Sequence, residues 1–152
     1  MPYTTADGRQ QLLDTLADAA EDLGVALAAL TEAYELLDET TGDRVERELF
    51  RPVQAAYGRA KRTHADFAAR HGLPGRTFEP PVPGAPGRGV KGFLDSALLA
   101  VGAADLKLAT LQDSMLPIEV GDAELRAGLE QIRTVVGDLR ARAHELVRTL
   151  GR

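Results

Sequence analysis

The chain has 152 residues, a formal net charge of -5 and no cysteine. That length suits one domain burying roughly two-thirds of its unfolded surface. Missing cysteines exclude a disulfide frame and thiolate chemistry, and the mildly acidic balance argues against a nucleic-acid surface.

No apolar run approaches the ~18 residues of a membrane span. The opening MPYTTADGRQ lacks the apolar core of a signal peptide. A soluble, cytoplasmic protein with no membrane or nucleic-acid partner is therefore expected.

The first helix is predicted to open at Thr4, where Asp7 completes a capping-box pattern. Leu13, Leu16, Ala20, Leu23, Leu27, Leu30, Tyr34 and Leu37 recur at alternating spacings of three and four, a heptad seam. Its other face is acidic, with Asp14, Asp18, Glu21 and Asp22 in the first half. Gly42 offers a left-handed stop.

Asp43 with Glu46 offers the next N-cap. The second helix carries Val45, Leu49, Val53, Ala56, Ala60, His64, Phe67 and His71 in an eleven-residue pattern, which favours a straight or slightly right-handed course. Pro52 lies inside it and frees the carbonyl of Glu48, so a kink is expected. Gly72 closes the helix. Its second half is basic at Arg59, Lys61, Arg62 and Arg70. Antiparallel pairing would set these against the acidic half of the first helix.

Leu73 to Gly92 interrupts the pattern with prolines at 74, 80, 81, 83 and 86. No helix can cross it. The linker can reverse the chain locally or carry it the length of a helix; local reversal with an up-down-up-down course is the expected topology. Phe78 and Val82 are positioned to pin it to the end of the helices.

The third helix bears a heptad seam of Leu94, Ala97, Val101, Ala104, Leu108, Leu111 and Met115, plus a second apolar line at Leu98, Leu99, Ala103 and Leu106. An apolar stripe this wide needs cover on more than one side. After Pro117–Gly121, Asp122 is a good N-cap for the fourth helix, whose seam is Leu125, Leu129, Ile132, Val136, Leu139, Ala143, Leu146 and Leu150. The chain therefore reads as all-α: an antiparallel four-helix bundle of two hairpins joined by the Pro/Gly-rich 73–92 linker, one domain over 1–152, with helices near 5–41, 43–71, 90–116 and 122–150.

Three places carry candidate chemistry. In the groove between the first two helices, His64 and His71 fall on the core-facing line, near Asp18, Glu21 and Asp22. These five form the candidate ligand set. A di-iron bundle needs Glu-x-x-His, and no Glu stands three residues before His64, His71 or His144, so no metal or cofactor is expected. At Gly84–Gly92 a glycine-rich stretch precedes a helix, with Arg88 and Lys91 as candidate anion ligands. It fails as a P-loop because Val90 stands where lysine is required.

His144-Glu145-Leu146 is similar to a phosphoacceptor histidine stretch, a remote phosphotransfer alternative, although Val147 interrupts it. No nucleophile elbow is present, so the reading leans away from an enzyme. The leading expectation is a structural or protein-interaction module that forms a homodimer through Leu98, Leu99 and Leu106. The alternative is a small-ligand or metal-binding bundle using the groove near His64.

Overall fold

The computed structural model describes residues 4–79 and 89–150, with backbone alone at 147 and 150. All regular structure among them is helical: α1 (Thr5–Glu35), α2 (Glu39–Val45), a π-helical turn (Glu46–Phe50), α3 (Arg51–Arg70), α4 (Gly89–Asp113), α5 (Leu116–Glu119) and α6 (Ala123–Leu150). No described helix is long and apolar enough to cross a membrane.

The capping box at the start of α1 forms as expected: Thr4 Oγ1 accepts from Asp7 N at 3.0 Å, and Asp7 reaches back to Thr4 N at 3.4 Å. The end of α1 differs from expectation. The helix stops at Glu35, and Asp38 caps the next one by accepting from Thr41 N at 2.8 Å. Gly42 is then an interior residue of α2, buried under the Tyr34 ring, and ends nothing. Asp38 and Asp43 are equally good caps by residue type. The earlier one wins because ending α1 there folds α2 back at once and buries Val45 and Leu49.

At Pro52 the expected irregularity takes the form of a π-helical turn. The proline has no N–H to give Glu48, and the helix widens just before it: Arg51 N–H donates to Glu46 C=O, five residues back. α2, the π turn and α3 thus form one rod. Its apolar line is buried from Val45 through Phe67. Gly72, at φ +65°, takes the left-handed stop after α3, and Leu73 N donates to Ala68 C=O at 2.9 Å to complete the cap.

α4 ends at Asp113, short of the expected 116, because Met115 swings to φ 68° and Ser114 Oγ donates to the freed Leu111 carbonyl at 2.6 Å. Met115 thereby leaves the seam and is exposed. Asp122 caps α6 as expected, accepting from Leu125 N at 2.8 Å.

α1 packs on α3 and α4, and α6 packs on the same two. Directions follow from named contacts. Arg9 Nε donates to Val120 C=O at 3.0 Å, whereas Asp22 meets Lys107 at 2.7 Å, so α4 descends as α1 ascends. Arg70 meets Asp122 at 2.8 Å and Thr63 lies on Gly128, so α3 and α6 are antiparallel too. Gln112 and Asp105 both bond Arg133, and Asp105 also bonds Arg140, so α4 and α6 are antiparallel as well.

α3 and α4 therefore run in the same direction, both ending near the start of α6. This corrects the expected local reversal. The described residues after α3 run back along the molecule. Arg76 pairs with Glu21, and the Phe78 ring meets His64 edge-on at 5.7 Å between centroids. Phe78 thus pins the strap to the flank of α1 and α3 rather than to an end. Val82 lies outside the described residues.

The most buried helix is α1. Of the expected seam, Leu13, Leu16, Ala20, Leu23 and Leu30 are buried, Leu27 and Leu37 are half-buried and Tyr34 is exposed; Leu12, Ala19, Ala26 and Ala33 are buried too, a second line at seven-residue spacing. Each buried leucine contributes roughly 1.5–3 kcal/mol of apolar transfer, and the alanines let neighbouring helices come close.

Candidate functional site

His64 is the buried polar group at the heart of the expected groove. It is 4% exposed, and its Nδ1 has no hydrogen-bond partner. Three elements enclose it: α3, which carries it; α1; and the strap, through Phe78. Burial pushes the imidazole below its ordinary value of 6.5, opposed by a smaller pull from Asp14. Uncompensated burial of a ring nitrogen costs stability, and burying the charged ring costs more.

The acid sensitivity follows from that lowered value. The unfolded chain takes up the His64 proton at higher pH than the native one does, so stability falls as pH drops through 6.5. A His64→Leu variant removes this component. Urea melts at pH 7.5 and 5.0 are expected to show wild-type losing more stability than the variant over that interval. Equal losses would mean that His64 is solvated in the native state.

The carboxylates expected around His64 are dispersed. Asp22 Oδ2 lies 2.7 Å from Lys107 Nζ on α4, an ion pair that turns it away from α3. Glu21 pairs with Arg76 of the strap, and Asp18 is exposed. His71 sits at the far end of α3, its Nε2 2.9 Å from Asp122 Oδ2. Among the described residues, no three His, Asp or Glu side chains are grouped to hold a metal ion.

Of the expected anion ligands, Arg88 lies outside the described residues, and Lys91 is paired with Asp95 at 2.9 Å within its own helix. His144 is exposed on α6, beside a groove against α4. The three leucines differ: Leu98 is half-buried against the core, whereas Leu99 is 76% and Leu106 69% exposed.

One constellation went unread in the sequence. Asp122 accepts from Arg70 Nε (2.8 Å) and Nη2 (2.9 Å), and from Leu125 N (2.8 Å), with His71 at 2.9 Å. Glu124 adds a second carboxylate 2.9 Å from Arg70. Chiefly through the Arg70 hydrogen bonds, and against partial burial, the Asp122 carboxyl is held well below the usual carboxylate range. The visible signal was only the N-cap. Its pairing depends on α6 lying beside α3, which spacing alone does not give. This cluster is a joint between helices, with its carboxylate saturated by donors.

Arg70 turning to α6 also corrects the expected charge pairing. The basic half of α3 does not meet the acidic half of α1. Lys61 lies over the Tyr57 ring, and Arg59 and Arg62 face α6. No family model matches the chain, and neither a curated protein nor a solved structure matches it.

Proposed function

We propose that this protein is a non-enzymatic, self-associating helical module, folded as a four-helix bundle with an up-down-down-up course. Four rods support that architecture: α1, the α2–α3 unit, α4 and α6. Each long helix packs on two neighbours, and those neighbours run antiparallel.

The observation behind self-association is the pair Leu99 and Leu106, one heptad apart on α4 and both largely exposed. Isolated exposed leucines are ordinary, but these two continue the half-buried Leu98 into one stripe. A two-fold axis at Gly102 and Ala103 would set Leu99 of one copy opposite Leu106 of the other. Ala103 is small enough to let the helices approach, and the Arg140 guanidinium, which lies over Gly102, would border the contact. Two-fold pairing is the commonest answer to such a surface. Leu99→Glu with Leu106→Glu is expected to give a monomer that melts within a few degrees of the parent. A double variant that stays dimeric would move the interface elsewhere.

A second reading, a small-ligand site at His64, draws on the unpartnered Nδ1. It requires the strap at Phe78 to lift. Native mass spectrometry of purified protein tests it: a co-purified small molecule lost in His64→Leu supports it, and bare protein removes it.

A further inference from the structure

The face between α3 and α6 holds a trough of about 660 Å³. Its floor is apolar, from the buried Ala56 and Ile132 and the half-buried Val135, and its walls carry Arg59 and Arg62. The arginines are three apart on one helix, so their Cβ atoms are roughly 5–6 Å from each other and both heads can reach one anion.

Many of the other long cations are paired, although Arg9 and Arg126 reach backbone carbonyls, Lys61 lies on the Tyr57 ring, and Arg47 and Arg142 have no carboxylate within 4.0 Å among the described residues. Arg44, Arg70, Arg76, Lys91, Lys107, Arg133, Arg140 and Arg148 each have a carboxylate within hydrogen-bonding or ion-pair reach. Among the described residues, Arg59 and Arg62 have none within 4.0 Å, although Glu130 lines the same trough. The Arg62 guanidinium lies over Gly58, where a Cβ would come 3.4 Å from its Nη1. Gln54 and Gln131 add neutral amide donors at the rim.

We propose that this trough binds a small organic phosphate monoester, with Arg59 and Arg62 clamping the phosphate and the apolar floor taking the body. Guanidinium groups match phosphate oxygens in a bidentate fork. Apolar trough lining with a few convergent polar groups is the usual form of a ligand site, and the volume is in the range for one. The site lies across α3 from His64 and away from the leucines of α4, so it is independent of self-association.

The probe is phenyl phosphate, titrated into the full chain and followed by amide NMR, with inorganic phosphate and phenol titrated in parallel. The expected result is saturable shifts at Gly58, Arg62, Ala127 and Gln131 below 10 mM phenyl phosphate, with each control weaker by at least fivefold. Arg59→Gln with Arg62→Gln should weaken phenyl phosphate by at least tenfold at an unchanged melting temperature, because both side chains are exposed. No saturable shift by 10 mM, shifts centred elsewhere, or a double variant binding within threefold of the parent would overturn the proposal. Inorganic phosphate binding as tightly as phenyl phosphate would overturn the role of the apolar floor.

Discussion

Asp122→Ala is expected to destabilise the protein by about 3 kcal/mol. Losing an N-cap costs about 1 kcal/mol. The rest comes from charge-assisted hydrogen bonds, worth about 1.5–3 kcal/mol each when sheltered and discounted here because Arg70 is part-exposed. At this chain length the melting temperature should fall by about 10 °C. Asp122→Asn keeps the cap oxygen and loses the charge, so it should cost about half as much.

The pH dependence carries a definite sign. The Asp122 carboxyl is depressed in the native state, so its stabilisation is full above its ordinary value of 3.8 and drains away as pH falls below that. The gap between wild-type and Asp122→Ala should therefore be constant from pH 5 to 8 and narrow below about pH 4. A gap that is unchanged at pH 3 would assign the whole effect to the backbone cap.

Gly128→Ala is expected to destabilise by about 2 kcal/mol, against the sign of helix propensity, which favours alanine by about 1 kcal/mol. A Cβ at 128 would lie 2.6 Å from Thr63 Oγ1 and 2.9 Å from Thr63 Cγ2. Thr63 is itself buried and β-branched, so it has little freedom to turn away. Adding Thr63→Ala should restore most of the loss. In that double-mutant cycle the two changes should be coupled by more than 1 kcal/mol. Additive effects would mean that α3 and α6 do not meet at this point.

The periodic apolar lines were the legible part of the fold. Every seam residue expected on the fourth helix from Leu125 to Leu146 is buried, as are those on the second from Val45 to Phe67. Heptad and eleven-residue spacings report which face is inside without needing to know what covers it. The second line on α1, at Leu12, Ala19, Ala26 and Ala33, was harder to see because alanine marks close packing and ordinary helix propensity alike.

What failed to be legible depended on long-range placement. Asp38 and Asp43 are interchangeable as caps from local chemistry, and only the burial of Val45 and Leu49 separates them. The linker had reach for either topology, so its length could not choose. Local charge matching then favoured the wrong neighbour: Arg70 finds Asp122 and Glu124 on α6, while Glu21 and Asp22 are taken by Arg76 and Lys107. Within the candidate groove, His64 was read as core-facing, and it is buried. Its surroundings could not be read, because they depend on where the strap runs.

The wide apolar stripe on the third helix was visible in the sequence, and the fold divides it. Leu94, Ala97, Val101, Ala104, Leu108 and Leu111 face inward, Leu98 is half-covered, and Leu99 with Leu106 face out. The proposed module rests on that residue of uncovered surface. Light scattering coupled to size-exclusion chromatography, run from 1 to 100 µM, measures its consequence directly. Self-association predicts a mass rising to twice the 16.3 kDa of the chain, and abolished by Leu99→Glu with Leu106→Glu. A mass of one chain at every concentration would contradict it.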